Sequence, residues 1–309
     1  MKINKIPKLL FCCSLALMGL GTTAMLSSCT TDSDAFNPDD YIQKNPETED
    51  PDNSEEPGKD PEPEIPDNPD EGDGDEDFDK QKLYEVTIPG DLPSQIKEYT
   101  GFTLSFNKDN KTSNYVVWEL LSSETNGSAN RNDYDFWQDN SLEGCPTKDY
   151  AYSTYGYQRG HMCPAADQKW SEAAMRDCFS MANMCPQYAS LNEKMWATLE
   201  NKEREWARRD GAIWIVCGPV YSDDDTLRIG YSQVRVASAY YKAFLAIDVD
   251  EPRAIGFIFP NGSCPGDMKD YSMTIDQLEE VLGYDFFSAL PDEIENKIEA
   301  EDSYSKWIK

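Results

Sequence analysis

A single histidine, His161, serves this chain of 309 residues. Zinc sites built on paired histidines therefore lack ligands here. No Cys-x-x-Cys pair offers sulfur in their place, which argues against a structural zinc site. Positive charge is also scarce: 28 Lys and Arg stand against 58 Asp and Glu, a formal net charge of −30. Nucleic-acid binders that grip with a broad basic face are not composed this way. An anionic substrate would have to be held by a few focused cations or by a metal ion. No internal repeat is visible, and after the first thirty residues no apolar run is long enough to span a bilayer.

What is present begins at the N-terminus. Lys2, Lys5 and Lys8 precede an apolar stretch from Leu9 to Leu26, the pattern of an export signal. Leu26-Ser27-Ser28-Cys29 resembles a bacterial lipobox, which implies a signal peptide over 1–28, cleavage before Cys29 and lipidation of Cys29. Several acyl chains at about 0.8 kcal/mol per buried methylene make a stable membrane anchor. Thr30 rather than Asp at the following position favours the outer membrane. Residues 29–80 hold 21 acidic side chains against three Lys, with many Pro and few apolar residues. Such a segment cannot bury enough apolar surface to offset the entropy of ordering, so a disordered tether is predicted. Its Pro content and self-repulsion would let it reach up to roughly 150 Å.

Residues 81–309 are long enough for one sizeable core and retain a net charge near −15. They contain Cys145, Cys163, Cys178, Cys185, Cys217 and Cys264, an even number that in an exported protein suggests disulfides. Strand-like runs are "YEVTIP", "FTLSFN", "NYVVWELLS", "AIWIVCGPVY", "VRVASAYYKAFLAIDV" and "AIGFIFPN". The second and third should form a hairpin around 108–111. Helical periodicity follows Pro186, and "TIDQLEEVLG" reads as a helix capped by Thr274 and stopped by Gly283. Strands that cluster without βαβ alternation predict an α+β domain with a mainly antiparallel sheet.

The histidine lies in "YGYQRGHMCPAAD". Arg159 and His161 would share one side of a strand, and Asn192, Trp196, Glu200 and Arg204 recur every four residues along a helix. With Asn183, this set supplies an imidazole, amides, a carboxylate and guanidiniums. Phosphodiester hydrolysis needs such groups: a base for water, an oxygen ligand for a hard cation, and positive charge for the transition state.

Taken in order, "QRGH", "MCPAAD", "NMCPQ", "LNEKMWATLE", "IWIVCGPVY" and "FIFPN" resemble the DNA/RNA non-specific endonucleases, sugar-non-specific enzymes of the ββα-metal type. The resemblance implies that fold, with helices flanking the sheet, over 81–309. It implies a Mg²⁺-dependent endonuclease, with Mn²⁺ as a substitute, that cuts DNA and RNA with little sequence preference and leaves 5′-phosphate ends. In it His161 is the general base, Asn192 the metal ligand and Glu200 a carboxylate that orients water. Asn183 fixes the surroundings of His161, and Arg159, Arg204 and Arg131 hold the phosphate. Gln158 stands where the family motif has Asp. On this reading an Asp restored at 158 should orient Arg159 and speed turnover at alkaline pH. The competing reading is a weak or inactive nuclease-like binding lipoprotein at the cell surface, which the acidic domain and Gln158 favour.

Overall fold

A computed structural model describes residues 78–148 and 151–308. The predicted signal segment, Cys29 and nearly all of the tether lie outside the described residues. Strands β1 (Gln95–Glu98), β2 (Thr103–Asn107), β3 (Thr112–Leu121), β6 (Ala212–Val220), β9 (Ala239–Ala246), β10 (Arg253–Pro260) and β11 (Ser272–Met273) form one sheet in the order β1-β2-β3-β6-β9-β10-β11. Every neighbouring pair in it is antiparallel. Two short ribbons stand outside it, β4 (Tyr157–His161) with β5 (Met184–Tyr188) and β7 (Arg228–Ile229) with β8 (Val234–Arg235). The α+β expectation holds.

The central strands are buried on both faces, so their side chains alternate between two apolar layers. Along β9, Tyr240 and Phe244 enter the first layer while Tyr241, Ala243 and Leu245 enter the second. The first layer is closed by α2 (Glu172–Cys178), by α3 (Ala197–Asp210) and by the β4–β5 ribbon, through Met175, Leu199, Trp206, Met162 and Met184. The second is closed by α4 (Ile275–Leu282) and α5 (Asp292–Glu299), through Ile275, Leu278 and Ile298. Two single-turn helices complete the set, α1 (Ala151–Thr154) and α6 (Tyr304–Trp307), the latter placing Trp307 against Trp206.

Local signals were obeyed closely. The β2–β3 hairpin forms where expected. The Thr274 hydroxyl accepts from the Gln277 amide, Gln277 returns the bond, and Gly283 ends α4 at φ 68°, a conformation costly for any side chain with a Cβ. Two expectations need correction. "YEVTIP" contributes only a bridge from Thr87 to Asp285, after a 3-10 turn over Lys80–Tyr84. Pro89 ends the run and has no N–H to extend a ladder. The six cysteines are free thiols, five of them buried. They are used as small apolar fillers of the first layer. Burial pushes the Cys145 thiol up to about 11 and Cys264 to about 12, so neither is a nucleophile at neutral pH.

Candidate active site

The β4–β5 ribbon carries the Arg-Gly-His motif. Gly160 is required there: a Cβ would sit 2.0 Å from Oε1 of Gln187, which is wholly buried beneath it. His161 ends β4, and the chain beyond it is pinned by Asn183. The Asn183 side-chain oxygen accepts from the Cys163 amide at 2.9 Å, and its nitrogen donates to the carbonyls of Cys163 and Cys178, each at 2.9 Å. Asn183 thus fixes the backbone just beyond His161.

Two aromatic rings hold the imidazole. Trp137 pairs with Ser180, which brings Phe136 beside Phe179. The His161 ring lies 5.1 Å from the Phe179 ring, edge to face, and 5.8 Å from Phe136. The guanidinium of Arg159 stacks 4.3 Å from the Phe136 ring, and that of Arg131 lies 5.9 Å from Phe179. Each ring therefore contacts both a cation and the histidine. Burial, then the charges of Arg131 and Arg159, lower the His161 pKa to about 3. The ring is neutral at physiological pH. Its Nε2 is closed off from solvent without a partner, so Nδ1 is the nitrogen that meets water.

Asn192 reaches the motif through Gln158. Its Nδ2 donates to Gln158 Oε1 at 2.7 Å, and Gln158 Nε2 donates to Glu193. The bond turns the Asn192 oxygen away from Gln158 and leaves it free to ligate. This contact differs from the one expected of residue 158. Gln158 orients Asn192, not Arg159, and an Asp would face Glu193 across like charges. The helix leading into α3 is also not uniform. Residues Leu191–Trp196 form a π turn, whose extra residue breaks the four-residue row. Asn192 stays half-exposed while Trp196 is fully buried.

Further along α3 the expected groups sit in a buried charge network. Lys242 and Glu203, both without exposed surface, pair at 2.6 Å, and the ammonium lies 4.8 Å from the Trp196 ring. Removing either partner would strand a buried charge at a cost of about 3–5 kcal/mol. Burial pushes the Glu200 carboxyl up to about 7, with Lys242 opposing and Glu203 reinforcing it. Arg204 donates to Asp167 at 2.8 Å and to Asn201 at 2.7 Å. Both hydrogen bonds go to protein groups, so these donors of Arg204 are engaged within the protein. Sequence reasoning missed Phe136, Phe179, Asp167 and Glu193. Asp167 carried a signal, as the last residue of the quoted motif.

A profile of the DNA/RNA non-specific endonuclease family matches residues 79–293. The mitochondrial nuclease EXOG of Xenopus laevis is 30% identical over 232 residues, covering 70% of this chain. The chain spans 63% of that relative's length. A nuclease of Nostoc sp. is 31% identical over 212 residues, covering 65% of this chain and 76% of that protein. Among solved structures, one from an EndoG/EndoGI complex aligns at TM-score 0.60 and 23% identity, over 66% of this chain and 90% of that one. That last likeness concerns the fold alone.

Proposed function

The chain belongs to the DNA/RNA non-specific endonuclease family, and from this we propose that it hydrolyses phosphodiester bonds of both DNA and RNA, with Mg²⁺ or Mn²⁺, leaving 5′-phosphates. The observation that carries the reading is the lone His161 set against Phe136 and Phe179, the rings that also hold Arg159 and Arg131. The Asn192 oxygen, oriented by Gln158, suits a hard cation that takes few protein oxygens and keeps most of its waters. When bound there, the metal supplies positive charge to the phosphate and the departing 3′ oxygen.

The protein groups divide the remaining work. His161 takes the proton from the attacking water at Nδ1. Arg131 and Arg159 hold the phosphate and meet the charge that develops on it. Glu200 orients water when ionised. Arg204 offsets the Asp167 charge and keeps α3 in place against the motif. The test is digestion of plasmid DNA and of RNA, with and without EDTA. No cleavage in Mg²⁺, or equal cleavage in EDTA, would remove the reading.

A pH profile separates the two titrating groups. Glu200, raised to about 7, is neutral below that pH and anionic above it. His161, lowered to about 3, is already a free base throughout that range. The acidic limb of kcat/KM should therefore lie near pH 7 and belong to Glu200. In Glu200→Gln the limb should vanish, leaving a lower rate that is flat down to about pH 5. A limb unchanged in that variant would assign it to another group.

We further propose export and anchoring through Cys29 at the outer membrane, supported by the Leu26-Ser27-Ser28-Cys29 sequence and the acidic spacer behind it. Wild type should partition into detergent and Cys29→Ser should not. A mature N-terminus without lipid in mass spectra would refute the anchor.

A further inference from the structure

Across the central sheet from His161, three acidic side chains converge. Asp276 and Glu279 lie one turn apart on α4, and Glu299 is the last residue of α5. One carboxylate oxygen from each lies within 4.8 Å of the others. Their helices pack into the second apolar layer, whereas the residues flanking His161 pack into the first. The group therefore has no part in the nuclease centre.

Its charge is unbalanced. Among the described residues no ion pair involves Asp276, Glu279 or Glu299, nor the neighbouring Asp285 and Glu295. Burial pushes Glu299 up to about 9, reinforced chiefly by the carboxylates of Glu279, Glu295, Asp276 and Asp285. Its place at the C-terminal end of α5 adds the negative end of a helix dipole. Glu279 spends one oxygen on the Phe286 amide at 2.7 Å, which leaves the second. Glu299 is only 5% exposed, and its Oε1 is buried with no hydrogen-bond partner. A buried, unpartnered acceptor on a carboxyl that meets two others is what a bound cation satisfies.

The ligand chemistry narrows the class. All donors are carboxylate oxygens, which suit a hard ion rather than zinc or copper. Calcium accepts six to eight oxygens at about 2.3–2.6 Å with flexible geometry, whereas magnesium needs a tighter octahedron and prefers water. We propose that Asp276, Glu279 and Glu299 bind a calcium-class divalent cation that ties α4 to α5.

The test is thermal unfolding of the full chain, stripped of metal, with CaCl₂ or MgCl₂ added. Glu299→Gln and Asp276→Asn are compared with wild type in an Asn192→Ala background, which removes the nuclease centre's own metal ligand. CaCl₂ at a hundredfold excess over its Kd should raise the Tm by about 5–10 °C, and MgCl₂ by less. Both variants should lose that rise. Metal-free Glu299→Gln should melt close to its metal-free parent, because a carboxyl pushed up to about 9 is already neutral without the cation. A parent Tm indifferent to calcium, or a full rise retained in both variants, would overturn the site and leave a cluster neutralised by shared protons.

Discussion

His161→Ala should lower kcat/KM on both DNA and RNA by about 10³–10⁴-fold, the upper range for loss of a positioned general base. The size follows from the surroundings. The chain has no other imidazole to substitute. Burial and two guanidiniums keep this one neutral, and Phe136 and Phe179 confine its ring so that Nδ1 holds one direction. Truncation to Ala would also empty the space between the rings, so His161→Gln is the companion variant. It fills more of that volume without a comparable base. Both should be inactive to a similar degree, and the Gln variant should melt close to wild type. A loss under about tenfold in either would place the base elsewhere.

Asn192→Ala should cost about 10²–10³-fold in kcat and move the Mg²⁺ requirement upward, since a metal's charge is worth several kcal/mol in such a transition state. The argument rests on orientation as well as donor type. The Asn192 amide is held by Gln158, which is in turn held by Glu193, so the ligating oxygen is presented in a fixed direction. The double variant His161→Ala/Asn192→Ala should be little worse than His161→Ala, because base and metal serve one transition state and their losses do not multiply. The measurement is a Mg²⁺ titration of kcat for all four proteins. An unchanged midpoint in Asn192→Ala would remove it as the ligand, and losses that multiply would mean independent roles.

Much of this was legible in the sequence because it depends on neighbours along the chain. The lone His161 beside Arg159, the strand that carries them and the hairpin around 108–111 follow from local pattern. So do the two caps of α4, since capping hydrogen bonds span only three or four residues. The motif order also singled out Asn183 and Asn192. Other features joined segments far apart and left no periodic trace. Phe136 meets Phe179 and His161 across 43 and 25 positions because a bridge from Trp137 to Ser180 docks two loops. That docking decides which arginines face the imidazole.

The four-residue row from Asn192 to Arg204 suggested one catalytic helix face, but a π turn broke the row and Asp167 engaged Arg204 from 37 residues away. The acidic corner of α4 and α5 was equally hidden. In sequence, Asp276, Glu279 and Glu299 look like ordinary solvated helix charges. Only the packing of Leu278 and Ile298 against the sheet turned them toward each other and buried Glu299. Sequence alone determined which chemical groups this protein has and which short elements carry them, because hydrogen bonds and hydrophobic period act over a few residues. The tertiary structure decided which of those groups meet and which lose water, because burial is a property of surfaces joined across the whole chain.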